Sequence, residues 1–154
     1  MRAIRMRAED EIEYTEAELQ AEGIRCETFD PGAAAAAVQR VLAERGWTEQ
    51  EDVLRDLSKP RDEAECAREA DEHCHLGDEV RLFLEGQGLY DIRCQNEEWL
   101  RVWVGAGDLV VVPARRYHRF VAGKAGALRY VQPCGGRHLL MQLYRVSDDR
   151  TRAF

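Results

Sequence analysis

The sequence predicts a mainly β fold, a jelly-roll barrel with N-terminal helices packed around it. Two observations carry that expectation. From His73 onward the apolar residues fall in short runs separated by glycines: Val80 to Leu84, Gly88 to Arg93, Trp99 to Val104, Leu109 to Val112, His118 to Val121, Ala127 to Val131 and Leu139 to Val146. Short strands so closely spaced close into a barrel or jelly roll. Helical spacing, by contrast, is confined to the stretch before His73. A length of 154 residues suits a single domain with a core of its own.

Taken in order, Ala3 to Arg7 reads as a short strand and Ala8 to Glu13 as a charged, solvated connection. Thr15 with Glu18 three residues on forms a capping box, so a short helix runs to Ala21 and stops at Gly23. Ile24 to Phe29 alternates as a strand, and Asp30-Pro31-Gly32 is a turn. The alanine run then leads into Val38, Val41 and Leu42, an amphipathic helix ending near Gly46. Thr48 with Glu51 repeats the capping-box pattern and predicts a helix to Leu57, broken at Lys59-Pro60. Asp62 to Ala70 is a polar surface helix that delivers the chain to His73. Residues 1–72 therefore read as a wrapping around a barrel core at 73–146, and Ser147 to Phe154 as a polar, mobile tail.

With 45% hydrophobic and 33% charged residues, the composition is that of a soluble globular protein. A net charge of -7 argues against nucleic acid or an anionic membrane as partner. The longest apolar runs, Ala33 to Val38 and Leu109 to Pro113, are too short to span a bilayer. Met1-Arg2-Ala3-Ile4-Arg5 runs straight into charge, so no signal peptide is expected. Cys26, Cys66, Cys74, Cys94 and Cys134 are odd in number and contain no Cys-x-x-Cys pair. A reducing, cytoplasmic compartment is the expectation. No obvious exposed apolar strip is present, so the expected state is a monomer.

The chemistry concentrates in Glu72-His73-Cys74-His75-Leu76-Gly77-Asp78-Glu79-Val80-Arg81. Histidines one residue apart point the same way only on an extended strand, where side chains alternate. Cys74 then faces the opposite side and packs behind the strand. Glu79 shares the parity of His73 and His75, but six residues of straight strand span roughly 20 Å. A common metal ion, with bonds of about 2 Å, requires the chain to fold back, and Leu76-Gly77-Asp78 supplies a turn. His118, after the strand and proline stop of Leu109 to Pro113, offers another ligand. A lone histidine in such a place is ordinarily a surface residue. Three of the four histidines in two strand-end motifs is more than a neutral surface requires. Three neutral imidazoles and a carboxylate would leave a divalent ion with about one net positive charge and, if octahedral, two open positions. That suits an anionic, chelating substrate, and nitrogen–oxygen ligation fits iron, nickel, cobalt or manganese.

These residues carry a resemblance. His-x-His, three residues, Glu79, six residues and Gly86, then Gly107, five residues, Pro113 and His118, resemble the two cupin motifs. More narrowly, Asp71 to Arg93 and Glu98 to Phe120 resemble the acireductone dioxygenases of methionine salvage. The strings are His-Cys-His-Leu-Gly-Asp-Glu-Val-Arg, Phe-Leu-Glu-Gly-Gln-Gly-Leu-Tyr-Asp-Ile-Arg and Gly-Asp-Leu-Val-Val-Val-Pro-Ala-Arg-Arg-Tyr-His-Arg-Phe. The resemblance implies a cupin-type double-stranded β-helix that holds one iron(II) or nickel(II) ion per chain on His73, His75, Glu79 and His118, with cobalt(II) or manganese(II) as substitutes. It implies the acireductone 1,2-dihydroxy-3-keto-5-methylthiopentene and dioxygen as substrates. Iron would yield 4-methylthio-2-oxobutanoate and formate; nickel or cobalt would yield methylthiopropionate, carbon monoxide and formate. Two departures stand out. Arg115 occupies the glycine position of a Pro-x-Gly turn, and residues 123–154 do not follow the family's ending, which bears on the substrate entrance.

Arg81 shares the parity of Glu79 and should also point inward, where it needs a partner. The resemblance implies that it orients the enediolate; a structural ion pair is the alternative. Phe120 shares the parity of His118 and is either an apolar wall beside the metal or plain core. Trp99 and Trp103 share one strand face and read as core. Glu72 or Asp78 could orient a histidine through its second nitrogen, while His138 has no ligand-like frame. Two other functions remain open at this point. One is a cupin isomerase or dioxygenase acting on a different enediol; the other is a metal-binding interaction protein without turnover.

Overall fold

The computed structural model describes residues 1–6, 11–59, 63–124 and 126–145, with the side chains of 63–66 left aside. The chain runs β1 (Arg2–Met6), β2 (Glu11–Glu13), α1 (Glu16–Ala21), β3 (Arg25–Thr28), α2 (Ala34–Arg45), β4 (Glu49–Asp56) and α3 (Glu63–Ala70). It continues through β5 (His73–Cys74), β6 (Glu79–Glu85), β7 (Gln87–Arg93), β8 (Trp99–Gly105), β9 (Asp108–Val112), β10 (His118–Ala122), β11 (Ala127–Cys134) and β12 (Leu143–Tyr144). A seven-stranded sheet in the order β12-β5-β10-β7-β8-β1-β2 lies against a five-stranded sheet in the order β3-β9-β6-β11-β4. All their pairings are antiparallel. This is the mainly β, jelly-roll architecture that the strand spacing predicts.

The two sheets bury different patterns. Phe83, Val110, Val112, Leu128 and Tyr130 of the five-stranded sheet meet Tyr90, Ile92, Leu100, Val102 and Phe120 of the seven-stranded one in the main core. On its other face the five-stranded sheet packs Val80, Leu82, Leu109, Val111 and Val131 against Val38, Val41 and Leu42 of α2. Buried on both sides, its strands read as continuous apolar runs such as Leu109 to Val112. The seven-stranded sheet alternates instead: along β8 the even positions Leu100, Val102 and Val104 are buried and the odd ones half-buried. Gly86 makes the tight β6–β7 turn at φ 83°, where a Cβ would sit 2.2 Å from the Ala127 carbonyl oxygen. Only glycine tolerates both conditions.

Several expectations need correction. The helix expected from Thr48 to Leu57 is strand β4, paired along its whole length with β11 from Ala127↔Asp56 to Cys134↔Glu49. The capping-box pattern at Thr48 and Glu51 is a local signal, and eight residues of ladder on an open sheet edge outweigh it. The capping box at Thr15 and Glu18 does form, with Glu18 N–H donating to Thr15 Oγ1 at 3.2 Å. Glu11 to Glu13, expected as solvated connection, is β2 on the edge of β1. The N-terminal third is thus less a wrapping than a donor of strands to both sheets. The strand expected from Leu139 to Val146 is a 3-10 turn at Arg137–Leu140 followed by the short β12. Residues 7–10, Asp62 and the expected tail Ser147 to Phe154 lie outside the described residues. Trp99 and Trp103 are not in the core. They stand half-buried on the outer face, Trp99 beneath Arg93 and Arg119 and Trp103 beneath Arg2. Among the described residues, Cys26, Cys74, Cys94 and Cys134 are free thiols, and no helix is long and apolar enough to cross a membrane.

That outer face is organised by Asp91, a carboxylate only 1% exposed. Arg101 donates to both of its oxygens, at 2.7 and 2.9 Å, and Arg119 Nε adds a bond of 2.8 Å. Burial by itself would raise the Asp91 pKa, but the two guanidinium groups outweigh burial and hold it below the ordinary value. The guanidinium groups left behind are partly exposed, so losing their charge-assisted bonds through Asp91→Asn should cost about 1.5 kcal/mol at neutral pH. A depressed folded-state pKa means that this contribution is complete above the ordinary carboxylate value of 3.8 and is lost as pH falls through the lower folded-state value. Urea unfolding at a series of pH values should therefore show the gap between Asp91→Asn and the parent closing in acid. A gap of equal size at neutral and acid pH would contradict this account.

Candidate metal centre

The centre is assembled from strand ends of both sheets and the loops that join them. β5 places His73 directly opposite His118 of β10 in the antiparallel register. His75 lies just beyond β5, and the chain turns back through Leu76, Gly77 and Asp78 so that Glu79 opens β6 on the facing sheet. Backbone bonds hold this turn in place: Gly77 N–H donates to the Leu139 carbonyl at 3.0 Å and Arg115 N–H to the His75 carbonyl at 2.7 Å. Arg115 adopts φ 61°, the left-handed conformation that glycine takes most readily, so the turn before His118 is one that a glycine would fit and an arginine fills here. Asp78 does not orient a histidine. Its carboxylate accepts from Ala114 N–H at 2.8 Å and from Arg45 at 2.7 Å, tying both loops to α2. Glu72 likewise pairs with Arg93 and Arg145, each at 2.9 Å, away from the rings.

His73, His75 and His118 are all buried, and each offers a ligand atom within 4.8 Å of the others. Their orientation is set by backbone carbonyls. Nδ1 lies 2.7 Å from Asp71 O in His73, 3.1 Å from Met141 O in His75 and 2.9 Å from Arg116 O in His118. A carbonyl can only accept, so each Nδ1 carries the proton and each Nε2 is turned toward the shared space. His118 Nε2 is buried there without a hydrogen-bond partner among the described residues. Glu79 completes the group from β6. Its Oε2 is 2.9 Å from His75 Nε2 and 3.6 Å from His118 Nε2, while Oε1 accepts from the Tyr90 hydroxyl at 2.7 Å. The carboxylate thus lies against two of the imidazoles, while the group whose ligand atoms all lie within 4.8 Å of one another is the three histidines.

The electrostatics favour a cation at this point. Burial, reinforced by neighbouring His118, pushes His73 down to about 4, so its ring is neutral. At Glu79 burial opposes ionisation, yet the Arg81 charge with His118 and His75 beside it keeps the carboxylate well below its ordinary value. At His75 burial also works against the charged form, and Glu79 outweighs it. An unpartnered buried nitrogen, a ring held neutral and an ionised carboxylate form a donor set that fits a borderline divalent ion.

Arg81 does point inward, as parity requires. Nε donates to Gln132 Oε1 at 3.1 Å and Nη2 approaches Glu79 Oε2 at 3.5 Å. The guanidinium lies over the rings of Tyr130 at 4.5 Å and Phe120 at 5.0 Å. Phe120 stacks on Phe83 and belongs to the main core, so it backs Arg81 from within the barrel. A cavity of about 430 Å³ opens beside the centre, lined by His75, Glu79 and Arg81 with Arg55, Gln132 and Arg137. Cys74 is buried, as expected, and His138 stands exposed on the 3-10 turn away from the rings. Three neighbours escaped sequence reasoning. Tyr90 carried a signal, since an inward tyrosine on a strand needs a partner for its hydroxyl. Arg55 was hidden by the helix expected across β4, and Gln132 lay just beyond the strand expected at Ala127 to Val131.

The comparisons agree with this architecture. A family model described as the ARD/ARD' family matches residues 5–131. Acireductone dioxygenase 1 of Physcomitrium patens is 33% identical over 115 residues, covering 73% of this chain and 58% of that protein. The acireductone dioxygenase of Heterostelium pallidum is 36% identical over 83 residues, covering 54% and 57% respectively. The chain spans a little over half the length of these two curated relatives. A solved acireductone dioxygenase from Bacillus anthracis, with a cadmium ion in its active centre, shares the fold at a TM-score of 0.81 and 21% identity, over 94% of this chain and 98% of that one. With most of its length, residues 5–131, matched by the family model, the chain belongs to the ARD/ARD' family.

Proposed function

We propose that this chain is a metal-dependent acireductone dioxygenase, cleaving 1,2-dihydroxy-3-keto-5-methylthiopentene with dioxygen in methionine salvage. The observation that carries the reading is the convergence of three imidazoles, each anchored through Nδ1, with Glu79 and Arg81 at one buried point. The names of the relatives and the cadmium ion of the Bacillus anthracis protein support it.

His73, His75, Glu79 and His118 would hold one divalent ion per chain, iron(II) or nickel(II), with cobalt(II) or manganese(II) able to replace them. Such an ion, when bound, supplies a Lewis acid and a template for a chelating substrate. The remaining work belongs to the protein. Tyr90 holds Glu79 Oε1 and so leaves Oε2 toward the histidines. Arg81 keeps a fixed positive charge in a dry wall, which favours the deprotonated enediol and orients it. Phe120, Phe83 and Tyr90 close the inner side of that wall against water. On this reading iron gives the keto acid and formate, whereas nickel or cobalt gives methylthiopropionate, carbon monoxide and formate. A second reading, a different enediol as substrate, is favoured by the polar cavity, where Arg55, Gln132 and Arg137 stand beside Leu140.

Apoprotein reloaded separately with iron(II) and nickel(II) should consume dioxygen with enzymatically generated acireductone and give the two product sets. Uptake no faster than the uncatalysed rate, with metal bound, would overturn the assignment. Faster turnover of a sugar-phosphate enediol would favour the second reading. His118→Ala removes one of the converging nitrogens and should abolish metal retention, read as metal remaining after dialysis. Full retention in that variant would remove His118 from the ligand set.

A further inference from the structure

We propose that Gln132 contacts the substrate, donating from its amide nitrogen to an enediolate or keto oxygen beside Arg81. The inference rests on the acireductone reading and deepens it. Gln132 is only 7% exposed on β11, an unusual place for an amide unless each end has a partner. Its Oε1 accepts from Arg81 Nε at 3.1 Å. Arginine can only donate, so this bond fixes which way the amide faces. Nε2, with two N–H donors, is then left for the cavity that Gln132 lines together with His75, Glu79 and Arg81.

Arg81 is in the same condition. Its Nε and Nη2 are engaged by Gln132 and Glu79, its faces are covered by Tyr130 and Phe120, and Nη1 is buried without a hydrogen-bond partner among the described residues. Register explains the juxtaposition. β11 pairs with β6 at Val131↔Leu82, so the next residue of β11 meets Arg81 on the inward face. One charged and one neutral donor are therefore held side by side on a rigid two-strand wall next to the metal ligands. An unpaired buried donor is costly, and a planar anion with oxygens on adjacent carbons meets both. A purely structural glutamine would need only its oxygen.

The test uses the nickel-loaded protein, titrated with acireductone under anaerobic conditions, and compares the parent with Gln132→Glu and Gln132→Met. Gln132→Glu keeps an acceptor for Arg81 Nε and loses the donors; Gln132→Met loses both and adds no charge. Both variants should bind acireductone about tenfold more weakly, as expected for one hydrogen bond to a charged oxygen, with metal stoichiometry unchanged. Weaker binding by Gln132→Met alone would make Gln132 only a support for Arg81, and weaker binding by Gln132→Glu alone would reduce the effect to charge repulsion. Either result overturns the proposal, as does parent-like binding by both. Failure of the metal-loaded parent itself to bind acireductone would overturn the acireductone reading and this inference with it.

Discussion

A carboxylate and a guanidinium, Glu79 and Arg81, are buried in the barrel, and the rest of the centre depends on how that burial is tolerated. Removing each charge from water costs several kcal/mol even after relaxation, and Glu79 and Arg81 lie only 3.4 Å apart. Proximity alone does not balance the cost. Tyr90 satisfies one Glu79 oxygen, His75 Nε2 lies 2.9 Å from the other, and Gln132 accepts from Arg81 Nε. Aromatic faces cover the guanidinium from Tyr130, Phe120 and Tyr90. The carboxylate stays ionised under these conditions, and an ionised carboxylate beside converging imidazole nitrogens is what a divalent cation needs.

The scaffold serves this arrangement through its two unequal sheets. β6, buried on both faces, carries Glu79 and Arg81 at its start, and α2 behind it holds that strand firmly. The histidines come from the other sheet and from its loops, where main-chain bonds rather than side-chain carboxylates aim the rings. Two of those carbonyls, of Asp71 and Arg116, lie two residues before the ring they hold, so the aim is built into the local backbone. The third, Met141, belongs to the C-terminal segment that crosses beneath His75. That segment therefore touches the centre as well as the cavity, to which it contributes Arg137, Leu140 and Gln142.

Arg115 holds a left-handed backbone in the turn before His118. A left-handed arginine carries a backbone cost of about 1 to 2 kcal/mol. The turn keeps it because Arg115 N–H bonds to the His75 carbonyl and because Ala114 and Arg45 are both held by Asp78. The loops around the two histidine motifs are thus braced against each other.

Much of the fold and the heart of the centre could be read from the chain alone. The His-x-His parity, the turn at Leu76 to Asp78, the inward Arg81 and the short strands after His73 are local consequences of a two-residue period, and local rules reach them. What those rules could not reach was decided by partners distant in sequence. Glu49 to Asp56 became a strand because the open edge of β11 was waiting for it. Trp99 and Trp103 moved to the outer face because arginines from other strands cover them there. The histidines are oriented by carbonyls that leave no trace in residue identity, so Glu72 and Asp78 looked like candidates and were not used. Gln132 met Arg81 only through the register of two strands far apart in the chain. Side-chain parity is set by the backbone of a single segment, whereas partners, faces and registers exist only once the two sheets have closed on each other.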